Sequence, residues 1–167
     1  MRDPLQTGLP SSHLELSRSY KISGNGLRHD RAMRATGTFD VKSFLPTEVT
    51  PEPAIATGLP VGLAKLEKQY EGEITGRSAT IFTSAFDQAS GVGTYVAMES
   101  FEGALNGRAG AFNFVHSAAT DGTERTDVFF SIVAGSGTGE LAGITGTGDL
   151  TIDADGTHRI WFEYQLP

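Results

Sequence analysis

The chain reads as an all-β protein, an eight-stranded antiparallel up-and-down barrel preceded by an N-terminal extension, and three features predict it. From residue 34 onward it breaks into about eight runs in which apolar and polar residues alternate. Short turns rich in Gly, Asn and Asp join most of the runs, and no convincing long helix interrupts them. Eight strands can close around one small ligand, and closure removes the sheet edges that would otherwise invite aggregation.

Residues 1–33 carry Pro4, Gly8, Pro10, Ser11, Ser12 and Gly24-Asn25-Gly26, a composition of turns and flexible chain, so the barrel domain is assigned to 34–167. Within that extension Leu14, Leu16, Tyr20 and Ile22 are spaced by twos apart from one four-residue step. It is therefore a mobile tail or a short strand that pairs with the barrel or a partner, and a lid over the barrel mouth is a further use. Residues 34–44 alternate, and the Pro-rich stretch PTEVTPEPAIATGLP connects them to the next run. Residues 61–71 are the most helix-like, yet Leu63, Lys65, Glu67 and Gln69 alternate with Ala64, Leu66, Lys68 and Tyr70 as a strand would. Residues 74–86 set Ile74, Ser78, Thr80, Phe82 and Phe86 against Thr75, Arg77, Ala79, Ile81 and Ala85.

Two runs, 93–105 and 108–120, flank Asn106-Gly107, a pair that tolerates the positive φ of a two-residue type I′ turn. Counting back from that turn, Leu105 opposes Arg108, Glu99 opposes Phe114 and His116 opposes Ala97. Asp121-Gly122 is a second two-residue turn signal, which sets Thr120 against Thr123 and His116 against Asp127 in the run 125–134. The last pair, 141–153 and 157–166, turns at Asp155-Gly156. A three-residue loop with Gly in the left-handed position is favoured there, because it matches Leu150 and Ile152 with Ile160, Phe162 and Tyr164.

The segment AGSGTGELAGITGTGDL, residues 134–150, is rich in glycine but lacks the Gly-Lys-Ser/Thr of a phosphate-binding loop. A strand rather than a helix follows it, so a dinucleotide fingerprint is rejected too. Its glycines are read as allowing coiling, bulges and close backbone approach within a strand.

Net charge −7 and a pI near 5.0 repel phosphate backbones, and no basic cluster offsets them, so nucleic acid is excluded as a partner. No apolar run approaches a membrane span. The absence of cysteine rules out disulfides and thiolate metal sites, and the first residues lack a signal-peptide core, so a cytoplasmic location is expected. No metal site is expected: only His116 and His158 among the histidines fall on strands, and no ligand spacing is present.

The register around Asn106-Gly107 gathers Tyr95, Ala97, Glu99, Phe101, Phe112, Phe114 and His116 on one face. Glu99 and His116 then sit one diagonal step apart, roughly 7–8 Å, among aromatic rings. Burial without a partner would raise the Glu99 pKa and favour the neutral acid. His116 titrates near neutrality, and Asp127 across the next hairpin would fix its tautomer. Together they are candidates for proton transfer or carbonyl polarisation, set against the bland reading of a buried Glu–His–Asp cluster that satisfies only itself. Tyr95, Phe101, Phe112, Phe114, Phe82 and Tyr164 line a pocket or form simple core. Arg108, by the Asn-Gly turn, is read mainly as solvated, with a carboxylate at the barrel mouth as its other use. Trp161 points outward with Arg159 and Glu163, a pattern that often marks contact with another chain.

The series Gly91-x-Gly93-x-Tyr95, Glu99, Gly103-x-Leu105-x-Gly107-Arg108-x-Gly110-x-Phe112 and His116 continues into Ser136-Gly137-Thr138-Gly139-Glu140-Leu141-x-Gly143-x-x-Gly146. It resembles an uncharacterised bacterial family with an allene-oxide-cyclase-like barrel, over roughly residues 34–166. The resemblance implies frequent homo-oligomers, dimers or trimers, and kinship with allene oxide cyclases and dirigent proteins, which close or couple reactive hydrophobic substrates by enforcing a conformation. The expected function is a cyclase or isomerase that folds a polyketide- or terpenoid-like substrate inside the barrel without cofactor or metal. Glu99 and His116 would be catalytic, and the aromatics with Asp127 would bind substrate. The alternatives are a non-catalytic binder of an apolar molecule and a structural oligomer with a filled barrel.

Overall fold

The computed structural model describes residues 31–167. Eight antiparallel strands run β1 (Met33–Pro46), β2 (Val61–Gly72), β3 (Ile74–Phe86), β4 (Val92–Leu105), β5 (Arg108–Asp121), β6 (Arg125–Ile132), β7 (Thr145–Ile152) and β8 (His158–Gln165). They form one sheet in the order β6-β5-β4-β3-β2-β1-β8-β7, an up-and-down meander curled by the β1–β8 ladder. Closure is nearly complete rather than full. The two end strands β6 and β7 lie side by side without a ladder, joined by Thr147 Oγ1 donating to the Phe130 carbonyl at 2.8 Å. The short strand read at 14–22 lies outside the described residues. No helix among the described residues is long and apolar enough to cross a membrane.

The β4–β5 hairpin has the register its turn dictates: Leu105 faces Arg108, Glu99 faces Phe114, and Ala97 faces His116. Asn106 and Gly107 sit at φ 50° and 79°, the left-handed pair a type I′ turn requires. The β7–β8 hairpin likewise follows the apolar set, with Leu150 opposite Ile160 and a three-residue loop in which Gly156 takes φ 88°.

The β5–β6 hairpin departs from expectation. Its turn spans four residues, because the Asp121 carboxylate accepts from the Thr123 and Glu124 amides at 2.9 Å each and from Thr123 Oγ1 at 2.8 Å. Thr120 then faces Arg125, and the register slips again between Ser117 and Ala119. Asp127 takes φ 50° there, as a bulged residue does. The sum of these shifts puts Phe130, not Asp127, opposite His116.

The glycine-rich segment is also not the strand it was expected to be. Residues 141–144 stay outside β7, and Gly139–Leu141 make one turn of 3₁₀ helix that drives Leu141 and Ile144, both fully buried, into one end of the barrel. Where β6 stops, this segment takes over the edge of β5: Asn113 N donates to Ser136 Oγ, Ala111 N to Thr138 Oγ1, and Thr138 N to the Ala111 carbonyl. The glycine at 110 is what permits it, since a Cβ there would collide with the Thr138 carbonyl and meet Leu141 Cβ at 3.1 Å.

Above this plug Phe101, Phe112, Phe114, Phe130 and Phe162 pack ring against ring at centroid distances of 5.2 to 6.1 Å. Offset and edge-on pairs of this kind add to the burial of the rings themselves. One half of the barrel is therefore solid.

Candidate functional site

The polar residues begin where the aromatic packing ends. Alternation turns Lys68 and Tyr70 of β2, Ser78 and Thr80 of β3, Glu99 of β4 and His116 of β5 inward, and all but Tyr70 count as buried polar side chains in an otherwise apolar interior. Register sets them level, with Lys68 beside Ser78, Thr80 beside Glu99 and His116 beside Ala97.

Glu99 is fully buried and accepts four hydrogen bonds. Lys68 Nζ and His116 Nε2 donate to Oε1, the latter at 2.7 Å, while Tyr70 O–H at 2.9 Å and Ser78 O–H at 2.7 Å donate to Oε2. Burial pushes the Glu99 pKa up, but the His116 hydrogen bond and the Lys68 ammonium outweigh it and hold the group lowered to about 2. The expectation of a neutral acid fails because it assumed no partner. Glu99 is an ionised carboxylate with its acceptor sites filled.

That anion decides the state of its neighbour. Burial lowers the His116 pKa below its ordinary value, against the opposing pull of Glu99, so the ring is neutral at neutral pH. Its one proton belongs on Nε2, facing the carboxylate, which leaves Nδ1 as an acceptor. Tyr95 O–H sits 3.1 Å from Nδ1 and donates to it. Burial raises the Tyr95 pKa in spite of Arg125, so the phenol keeps its proton. Arg125 closes the chain: one guanidinium nitrogen donates to the Tyr95 oxygen at 3.2 Å, the other to the Leu150 carbonyl, and Asp149 lies 3.8 Å away. The result is a continuous relay from Arg125 through Tyr95 and His116 to Glu99 and Lys68.

A cavity of about 330 Å³ opens directly above this relay at the unplugged end of the barrel. Phe39, Val41, Leu66, Phe82, Phe86, Leu150 and Ile152 supply apolar wall, and Lys68, His116, Tyr95, Arg125 and His158 supply its polar points. Glu99 does not reach the lining; it sits beneath it. Outer grooves, such as one of about 640 Å³ beside Arg34, Glu73 and Trp161, run between exposed side chains away from the buried relay.

Of the residues the sequence singled out, the structure joins Glu99, His116 and Tyr95 by hydrogen bonds and places Phe82 in the cavity wall. Phe101, Phe112 and Phe114 belong to the solid half. Tyr164 lies at the plugged end, where its hydroxyl accepts from Asn106 Nδ2 at 3.1 Å. Asp127 is exposed on the bulge and does not touch His116, so it cannot set that tautomer; Glu99 does. Arg108 is exposed beside its turn. Trp161 faces outward beneath the Arg34 guanidinium, 5.2 Å from its ring. Lys68, Tyr70, Ser78 and Arg125 were not singled out. The signal for Lys68 was present: it shares its face with Ala64, Leu66 and Tyr70, where a solvated lysine has no place. Among the described residues no group of three or more His, Cys, Asp or Glu is placed to hold a metal ion.

Comparison with known proteins adds a family. No curated protein matches the chain. A solved structure from Shewanella oneidensis MR-1, described as a protein with unknown function from the DUF3224 family, is 32% identical, with a TM-score of 0.67 over 82% of this chain and 100% of that one. The family model described as "Protein of unknown function (DUF3224)" matches residues 35–164, which take in all but the outermost ends of the barrel and every member of the relay. The chain with this half-filled barrel and its buried carboxylate relay belongs to the DUF3224 family.

Proposed function

We propose that the barrel takes a small hydrophobic molecule into its open end and acts on it as a cofactor-independent cyclase or isomerase. One observation carries this: the buried, directly paired Lys68 and Glu99 and the neutral His116 sit at the base of an apolar cavity, with Lys68 and His116 in its wall. Removing two charges from water costs several kcal/mol per ion, and an apolar filling of equal volume would serve structure as well or better. Perturbed ionisable groups at the base of a pocket are the usual mark of a working site.

The relay supports proton movement without any added group. Lys68 holds a substrate oxygen as negative charge develops on it. Tyr95 takes a proton from the carbon beside the substrate carbonyl as its own proton moves to His116 Nδ1 in the same step, so no free phenolate forms and the imidazolium arises opposite Glu99. The phenol then delivers that proton to another position as His116 returns its own to the Tyr95 oxygen. No proton is gained or lost overall, as an isomerisation or ring closure requires. The apolar walls contribute by holding a folded conformation near the reacting geometry. Glu99 acts through His116 and Lys68 as a positioning residue. The likeness of the glycine-rich series and hairpin to the allene-oxide-cyclase-like family supports the same class of chemistry.

The test is deuterium exchange at the α-carbon of 2-tetralone in D2O, followed by NMR. The wild-type protein is expected to speed exchange over buffer, and Tyr95→Phe or His116→Ala to reduce that acceleration by about 100-fold or more. Binding of the ketone with no acceleration, unchanged by either variant, would replace catalysis with the carrier reading.

A further inference from the structure

We infer that the cavity selects apolar molecules whose single polar group is an anionic oxygen, a carboxylate or an enolate, seated against Lys68. This rests on the proposal that the cavity binds a small molecule, and it adds the charge and size of that molecule.

The lining carries two basic side chains, Lys68 and Arg125, and no carboxylate. Glu99 offsets one of them, but it lies under the floor with four donors already on its oxygens. Among the described residues the acid within 4 Å of Arg125 is Asp149, 3.8 Å off and outside the lining. An acidic chain of net charge −7 has thus kept a cavity of positive character. Positive ends in a low-dielectric cleft focus the field on an anion.

Lys68 also lacks partners. An ammonium has three N–H donors. Here one goes to Glu99, and the Phe39 ring, with its centroid 4.8 Å from Nζ, faces the group without a hydrogen bond. For a residue only 5% exposed this leaves two donors to be satisfied from the cavity that Lys68 lines. An oxygen carrying negative charge forms the strongest hydrogen bond available to such a donor.

Size follows from volume. At about 330 Å³ the cavity lies at the small end of the range for small-molecule pockets. A bicyclic acid is of that scale, and a long acyl chain would protrude.

The experiment compares 2-naphthoate, 2-naphthylmethanol and 2-naphthylmethylammonium by calorimetric titration of the full chain, with Lys68→Met as the variant. Naphthoate is expected to bind at least about tenfold tighter than the alcohol, and the ammonium not to bind. Lys68→Met should erase the preference for the acid over the alcohol, with the fold of the variant checked separately by circular dichroism. Equal affinity for acid and alcohol in the wild-type protein, or binding of the ammonium, overturns the charge assignment and leaves a cavity that binds apolar molecules. Binding of none of the three overturns both. If Lys68→Met does not fold, the wild-type ranking decides alone.

Discussion

Glu99 shows how far a single side chain depends on partners brought from elsewhere in the chain. Replacing it by Gln leaves the Lys68 ammonium buried without its counter-charge, so Glu99→Gln is expected to destabilise the fold by about 3–5 kcal/mol in urea denaturation. A Lys68→Met, Glu99→Leu double variant should lose clearly less than the two single losses added together, since it leaves neither charge stranded. The pH dependence has a definite sign. The Glu99 pKa is lowered from 4.5 to about 2, so its stabilisation is complete above pH 4.5 and is lost as pH falls toward 2. The His116 pKa is also lowered, from 6.5, so below pH 6.5 the unfolded chain takes up a proton that the folded chain resists, and stability declines there first. His116→Gln should flatten that first decline in urea midpoints measured against pH, while the second, below pH 4.5, persists. The face shared by Glu99 and His116 was legible from one hairpin. The protonation state was not, because it is set by the His116 hydrogen bond together with the Lys68 ammonium, and Lys68 lies 31 residues away on β2.

At the scale of elements, turn chemistry decided where counting worked. Asn106-Gly107 demands positive φ at two successive residues, which few sequences other than this pair accept, and the β4–β5 register follows without error. Asp121-Gly122 carries the same kind of signal. There the Asp side chain caps two further amides and lengthens the loop, and the bulge at Asp127 shifts what remains. The plug is the other element that alternation misread. Its glycines allow a loop to lie against β5, so Gly110→Ala, which sets a methyl group against the Thr138 carbonyl, is expected to lower stability by about 1–3 kcal/mol in a thermal melt. Binding at the far end should survive in the fraction that remains folded.

Across the whole molecule the barrel divides into a solid half and a hollow half, and the relay marks the boundary. Ala118, 2% exposed, lines the hollow half next to His116 on β5. Ala118→Phe is therefore expected to fill the cavity and abolish 2-naphthoate binding while the melting temperature stays close to that of the wild-type protein. A similar enlargement at Ala35, packed at 0% exposure in the aromatic core, should instead destabilise the protein by overpacking, with a lower melting temperature as the readout. The sequence alone determined the strands, the faces they present and the hairpin register at Asn106-Gly107, because alternation and turn preference act between residues close in the chain. Only the tertiary structure decided which cations meet Glu99, where His116 carries its proton, and how much of the lumen stays empty. Those depend on distances between strands remote in sequence and on side-chain volumes summed around the whole barrel, quantities that no local window contains.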